Sequence, residues 1–540
     1  MGGGRKCHPT INQASDMSKY LGIDASTQSM TALIIDVEES PCIAVEESVI
    51  FDDHFRDRYG VENGALDLGG GQVHSPPLMW VEALDLLLAN LRDNGHDLAR
   101  LRAIAGSGQQ HGTVYLNQSA GPALARLDPS RSLADQLAGV FSRPTSPIWM
   151  DTSTTAECRQ IEAAAGGRLP LLKLTGNTAF ERFSGPQIRK FSQSDPEGYS
   201  RTDNIGLVSS FVASLLAGRL VPVDAGDGSG TNLLDIRRRQ WAPEALQATA
   251  PELARRLLPV TPSTRAIGEI STYFAQRYGF SPTCRIFPFS GDNPCSLIGL
   301  GLVEPGSVAL SLGTSDTLFA CMDQVRVSDS GEGAVFCSPD DINYMALICF
   351  LNGSLAREAV RDQYGLDWEQ FAQALRDTPP GNGGALMLPY FAAEIVPHVP
   401  QPGVVRQNLD AADANANVRA VIEAQALSSR LHSAWMDVPV TSLSVTGGAS
   451  ANEEILRVYA NVHGCPAHRF QTTNSAALGA ALRAWHGCAG ESGEKPMGWP
   501  ETVEPFTRPQ TTIQPDPAGS GVYSRMLAAY ESLERRATAG

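Results

Sequence analysis

One pattern occurs twice in this chain. Tyr20–Asp36 reads YLGID, ASTQS, MTALIID, and Ser307–Met322 reads SVALSLGTSDTLFACM. Each copy is an apolar run, a short turn of small polar residues, and a second apolar run. That is the pattern of two strands joined by a tight turn. A chain of 540 residues exceeds the roughly 250–300 residues at which a single core stops growing. Two copies about one domain apart therefore predict two related α/β domains, each with a turn small enough to face phosphate. The pattern restarts at Pro305–Gly306. The reading is a disordered tail over 1–19, an N-terminal domain over 20–305 and a C-terminal domain over 306–540.

Composition narrows the partners. With 42% hydrophobic and 19% charged residues, the chain has enough apolar side chain for two full cores. Its net charge is -16 and it has no block of five or six basic residues, which argues against a nucleic-acid partner. An acidic surface does not attract a polyanion. A nucleotide site must then be locally electropositive, through backbone N–H groups, helix N-termini and a metal ion.

The ten cysteines show no C-x-x-C pair, so they read as reduced, mostly buried thiols of a cytoplasmic protein. The N-terminus has no apolar signal core, and Lys6 stands where a myristoylation motif has Ser or Thr. The apolar stretch Leu297–Phe319 is broken by Glu304, Pro305 and Asp316, so no membrane span is expected.

Local signals define further elements. Ser75 and Pro76 start a helix whose Trp80, Leu84, Leu87, Leu88 and Leu91 recur at helical spacing. Leu101–Ala105 is a buried strand that ends in GSGQQHG, and such loops at strand ends commonly carry α/β active sites. Asp224–Thr231 (DAGDGSGT) lacks the register of a calcium loop and reads as a surface turn. Leu443–Val445 leads through a GGAS turn into a helix with Ser450 and Glu453 as capping box and Gly464 as its stop. Gly487–Gly519 reads as a long surface loop, and Met526–Arg536 as a closing helix.

No Gly-Lys pair exists, which excludes a Walker P-loop, and D-F-G and V-A-I-K are absent as well. Phosphate must then be held by the two small turns. In DASTQ, Ser26 and Thr27 offer hydroxyls and Asp24 suits Mg²⁺ through water, since Mg²⁺ keeps several waters and takes one or two carboxylates. GTSDT (Gly313–Thr317) repeats that chemistry. In FPFSGDNPCS, Asp292 follows a strand and can accept the proton of an alcohol; phosphoryl transfer otherwise depends on alignment and charge. VTGGASAN (Val445–Asn452) offers a flat backbone surface for adenine or ribose. Asn474–Trp485 (NSAALGAALRAW) is a helix with Gly and Ala on one face, suited to close packing beneath a nucleotide or to plain core packing.

Taken in order, GIDASTQ, GSGQQHG, WMD, ERFSGPQI, SGDNPCSL, SLGTSDT, TGGASAN and NSAALGAALRA resemble the FGGY carbohydrate kinases. The match runs from about Tyr20 to about Gly487, and its details are most similar to the eukaryotic-type xylulose kinases of that family. The resemblance implies two actin/hexokinase-type (ribonuclease H-like) ATPase domains flanking a cleft. It implies transfer of phosphate from ATP, with Mg²⁺, to the 5-hydroxyl of D-xylulose. Another sugar or polyol (L-ribulose, gluconate, glycerol), or a non-catalytic sugar-binding homologue, are the alternatives.

By position, Asp292 resembles the catalytic base, and His111, Arg182, Asp292 and Asn293 the sugar set. Asp24, Thr27 and Gln28 resemble the first phosphate and metal loop. Gly313, Thr314 and Ser315 resemble the second phosphate loop. Gly447, Gly448, Ala449 and Asn452 resemble the adenosine site, with Trp368 as a nucleotide-side contact. Asp151 in WMD is expected to brace the sugar site. Pro186 stands where Asn is common in this branch. No membrane partner is expected, and monomer and homodimer are both compatible with the sequence.

Overall fold

The computed structural model describes residues 18–470, 474–491 and 497–538. It divides into two compact units. The first is Met1–Val303 with Phe336–Tyr344 and Asn474–Thr507; the second is Glu304–Val335, Met345–Thr473 and Arg508–Gly540. The units are therefore not the contiguous halves 20–305 and 306–540, because the chain returns twice to the first unit. At the N-terminus, Ser18 is buried and Lys19 opens the first strand, so the expected tail does not extend through those two residues. The rest of it lies outside the described residues.

In the first unit, strands run in the order Gly268–Glu269, Arg285–Ile286, Leu101–Gly108, Lys19–Ala25, Ser29–Asp36 and Cys42–Ile50, with the short strand Ser290–Gly291 also on Leu101–Gly108. Lys19–Ala25 pairs antiparallel with Ser29–Asp36 and parallel with Leu101–Gly108. The register sets Asp24 beside Ser107, and Ser107 beside Ser290. Three parallel strands thus end at one level. The DASTQ turn, Gln109–His111 and Asp292 continue from their ends and emerge on one edge, the usual ligand edge of parallel strands.

The helix Pro77–Asp93 buries Trp80, Leu84, Leu87, Leu88 and Leu91, the expected stripe. The helix Ser475–Glu491 belongs to this unit too. Its small residues serve helix packing: a Cβ on Gly299 would lie 1.9 Å from the Ser475 carbonyl oxygen, and one on Gly479 1.9 Å from that of Cys295. Of the two uses expected for that Gly/Ala face, the structure shows core packing against the helix Asp292–Gly299. The same helix carries the buried Arg483, which donates to the carbonyls of Gly106 (3.2 Å) and Pro288 (2.9 Å) and lies 3.9 Å from the Asp224 carboxylate.

In the second unit the strand order is Tyr344–Phe350, Asp316–Met322, Ser307–Leu312, Ser442–Thr446, Ala467–Arg469 and Thr511–Ile513. Ser307–Leu312 pairs antiparallel with its hairpin partner and parallel with Ser442–Thr446. This is the plan of the first unit again.

The helix Glu453–His463 is capped by Asn452, whose Oδ1 accepts from the Glu454 N–H at 3.0 Å. The expected cap, Ser450, instead donates to the Gly447 carbonyl at 2.7 Å. A 3₁₀ turn over Gly448–Ala451 delays the helix and moves the cap two residues on. Gly464 ends that helix in the left-handed conformation, φ 71°.

The expected loop over Gly487–Gly519 is largely structured in its described residues, and 492–496 lie outside them. Helices run to Glu491 and over Trp499–Val503, a strand spans Thr511–Ile513, and the closing helix begins at Pro517. Trp499 and Val503 are buried in the first unit's core, where apolar contacts outweigh a Pro- and Gly-rich composition. Among the described residues Cys158, Cys284, Cys295, Cys337 and Cys465 are buried thiols. Among the described residues Cys42 departs from the expectation and is disulfide-bonded.

Candidate active site

Asp292 is the first residue of its helix, with Gly291 as N-cap. Its Oδ1 accepts from the backbone N–H of Gln110 (3.2 Å), from its neighbour's N–H (2.9 Å) and from Asn293 Nδ2 (3.1 Å). All three bonds fall on one oxygen, so Oδ2 remains for a ligand. Asp292 is half-buried by surface yet closely surrounded. Desolvation, and then the Asp24 carboxylate, raise its proton affinity to a pKa of about 7. That value suits a base at neutral pH.

His111 is buried, and its Nδ1 lies 2.5 Å from the Gly230 carbonyl. A carbonyl only accepts, so Nδ1 carries the proton and Nε2 is left as an acceptor. Burial, and then the Arg182 cation, lower its pKa to about 3, so the ring is neutral. The ring rests on Phe183 with centroids 4.1 Å apart. Arg182 is half-buried; its guanidinium sits 5.6 Å from the Phe180 ring centroid. Among the described residues it has no acidic partner, which leaves its donors available. A carboxylate oxygen, an imidazole acceptor, a guanidinium and the Asn293 amide together match the alternating donors and acceptors of a polyhydroxy ketone.

Asp24 is buried at the end of its strand. Its Oδ1 accepts from Ser107 Oγ at 2.7 Å, and Oδ2 accepts from Ser26 Oγ. Burial raises its pKa, while the two hydroxyls oppose that shift. Thr27 Oγ1 donates to Gln109 Oε1 (3.2 Å) and accepts from Trp149 Nε1 (2.8 Å). Gln28 is exposed. Among the described residues no group of three or more His, Cys, Asp or Glu side chains could hold a metal. A lone carboxylate among hydroxyls fits Mg²⁺ brought in with a nucleotide and most of its water, and does not fit a protein-caged ion.

The largest departure from expectation is Asp224–Thr231. Every residue of this span is buried, not a surface turn. It forms the wall behind the site: Gly230 orients His111, Ser229 Oγ accepts from the Cys337 N–H at 2.9 Å, and Asp224 accepts the hydroxyls of Ser263 and Ser290. Turn chemistry reports where a chain bends, not what covers the bend. The run of small residues, which allows close packing, was the signal available.

Asp151 is fully buried. It accepts from Ser153 N (2.9 Å), Gln187 Nε2 (2.8 Å) and Val73 N (3.2 Å), and against its burial His74, Ser153 and Gln187 hold its pKa well below the usual carboxylate range. It braces the segment that carries Trp149. Pro186 is the third residue of the helix Ser184–Ser194, where a backbone N–H has no intrahelical acceptor, so that departure costs no helical hydrogen bond.

The second unit contains a cavity of about 870 Å³ lined by Gly313, Thr314, Trp368, Gly448, Ala449 and Asn452 among others. Ser315 lies in the Gly313–Ser315 turn, between the strands Ser307–Leu312 and Asp316–Met322. Gly447 adopts φ 85°, and a Cβ there would come within 2.6 Å of the Leu312 carbonyl oxygen, so only glycine lets the two loops meet. Trp368 opens the helix Trp368–Asp377, is 45% exposed, and has the Arg361 guanidinium 4.5 Å from its ring centroid.

Motif reading passed over Arg357, Ser354, Glu358 and Arg376, which also line this cavity. Arg357 is buried. It grips both Asp316 oxygens at 2.8 and 2.9 Å and donates to the Gly313 carbonyl at 3.0 Å. Its signal was only a helix with a strongly one-sided apolar face.

Comparison with known proteins agrees with this geometry. Residues 145–299 match the N-terminal domain, and 308–488 the C-terminal domain, of the FGGY family of carbohydrate kinases. The xylulose kinase of Rattus norvegicus is 43% identical over 533 residues, covering 96% of each chain. Two solved structures share the fold, each with a TM-score of 0.78. They are a xylulose kinase from Rhodospirillum rubrum (19% identical, covering 95% of this chain and 98% of that one) and a gluconate kinase from Lactobacillus acidophilus (18%, 97% and 98%). This chain belongs to the FGGY family of carbohydrate kinases and is an ATP-dependent sugar kinase. No helix among the described residues is long and apolar enough to cross a membrane.

Proposed function

We propose that the chain phosphorylates D-xylulose, moving the γ-phosphoryl group of ATP to the 5-hydroxyl and releasing D-xylulose 5-phosphate and ADP. The observation that carries this reading is the Asp292 carboxylate, with one oxygen held by three donors and the other open, beside a neutral His111 and a free Arg182. The full-length similarity to a xylulose kinase supports the ketopentose over a longer sugar acid.

Asp292 accepts the hydroxyl proton as the oxygen attacks phosphorus. His111 Nε2 accepts from a sugar hydroxyl, Arg182 donates to sugar oxygens, and Asn293, whose two amide hydrogens go to Asp292 and Gln110, accepts a sugar hydroxyl at Oδ1. The turns Asp24–Gln28 and Gly313–Ser315 hold phosphate oxygens, and Gly447, Gly448, Ala449, Asn452 and Trp368 hold the nucleoside. Mg²⁺, held by Asp24 through water, would neutralise phosphate charge. The buried thiols Cys158, Cys284, Cys295, Cys337 and Cys465 support a cytoplasmic location, and the Cys42 disulfide is the observation against it.

A panel of D-xylulose, L-ribulose, D-gluconate and glycerol, with ADP release as readout, tests the assignment. The expected outcome is kcat/KM highest for D-xylulose by at least tenfold. A higher value for any other member refutes D-xylulose while leaving the kinase class intact.

A further inference from the structure

The side chain of Gln110 is tightly fixed but only partly used. Two glycines make its slot: a Cβ on Gly291 would fall 2.5 Å from Gln110 Cγ, and one on Gly230 2.8 Å from Nε2. Its backbone N–H donates to Asp292 Oδ1 at 3.2 Å, and its Oε1 accepts from Asn293 Nδ2 at 3.2 Å. One residue therefore holds both the carboxylate and the neighbouring amide. Its own Nε2 is buried and turned toward Asp227 without a well-formed hydrogen bond among the described residues, so it is shielded from a ligand as well as from water.

The carboxamide faces Asp227, a buried acid outside the sugar set. The Asp227 backbone N–H donates to Asp224 Oδ2 at 3.2 Å, and its Oδ2 accepts the Ser209 hydroxyl. Burial, and the nearby carboxylates of Asp224 and Asp292, keep Asp227 well above the usual carboxylate range. A carboxyl group behind the amide can orient it.

We propose that Gln110 is a positioning residue, oriented by Asp227, that fixes Asp292 and Asn293 relative to each other without touching the sugar. Fixing one oxygen of the base aims the other, and alignment is the main contribution a protein makes to phosphoryl transfer. The inference rests on the sugar-kinase reading of this site. It is measured with whichever sugar the wild-type enzyme prefers, so a wrong D-xylulose assignment shows itself separately in the substrate panel.

Three variants test it. Gln110→Met keeps side-chain length and the backbone N–H but removes the carboxamide. Gln110→Glu keeps an oxygen for Asn293 but adds a carboxyl beside Asp227 and Asp292. Gln110→Glu with Asp227→Asn exchanges acid and amide. Losing one buried hydrogen bond predicts about a tenfold rise in sugar KM for Gln110→Met, with kcat within about threefold and ATP KM within about twofold. Gln110→Glu should lose about 100-fold in kcat/KM, and the exchanged pair should recover about tenfold of that.

A Gln110→Met enzyme with sugar KM within twofold of wild type overturns the positioning role. So does a parallel loss of sugar and ATP binding with a lowered melting midpoint, which marks a merely structural residue. An exchanged pair no better than Gln110→Glu removes Asp227 from the assignment.

Discussion

The two small turns look alike in sequence and differ in electrostatics. At the first, the Asp24 carboxylate is held by the hydroxyls of Ser107 and Ser26 and has no cationic partner among the described residues. At the second, Asp316 is gripped at both oxygens by the buried Arg357, which also holds the Gly313 carbonyl. Hydroxyls leave a carboxylate open to an incoming cation, whereas a bidentate guanidinium already occupies both its oxygens. One acid is therefore kept available for a metal with its phosphates, and the other fixes the shape of its loop. Duplicated local structure does not imply duplicated chemistry.

Four variants test that difference. Asp292→Ala, which removes the base next to the first turn, should lower kcat by roughly 10²–10⁴-fold; near-normal turnover would end its assignment. Asp24→Asn should lower kcat by about 100-fold without lowering the melting midpoint, because no buried cation loses its partner. Asp316→Ala should do the opposite. Breaking one side of a buried ion pair costs roughly 3–5 kcal/mol of stability, and a calorimetric loss below that range would make the two turns equivalent. Arg182→Ala should weaken sugar binding by about tenfold and leave ATP binding unchanged; titration calorimetry giving the reverse would take Arg182 out of the sugar set.

The smallest effect concerns pH. Asp292 in the folded enzyme has a pKa near 7, above that of an unfolded aspartate. The native state then binds more protons than the unfolded state between about pH 4 and 7, so this group's contribution to stability falls as pH rises through that window. Asp292→Asn should melt higher than wild type at pH 8 and no higher at pH 4. Wild-type kcat/KM should fall below about pH 7, where the base is protonated. A flat profile between pH 5 and 8 would contradict both expectations.

Much of the fold is legible in the sequence because it depends on local pattern. The hairpin at Tyr20–Asp36, the apolar stripe from Trp80 to Leu91 and a buried strand from Leu101 all come from periodicity, although that strand runs on to Gly108, three residues past the expected end at Ala105. Ser450 is not the cap its spacing suggests because a 3₁₀ turn intervenes before the helix. Asp224–Thr231 reads as surface because turn residues do not reveal what packs over them. Arg357 and Arg483 escape notice because a basic residue in a helix reads as solvated until its acceptors are located. Those acceptors are 41 and 377 residues away in the chain, at Asp316 and Gly106.

By itself the sequence determined that the chain repeats one α/β plan, that each copy carries a small turn, and that Asp292 follows a strand. Only the tertiary structure decided that Asp316 is neutralised while Asp24 is not, and that Asp227 and Gln110 lie behind the base. The reason is that charge state and orientation depend on neighbours in space. Desolvation and hydrogen bonding act over a few ångströms, and residues that close are often far apart along the chain.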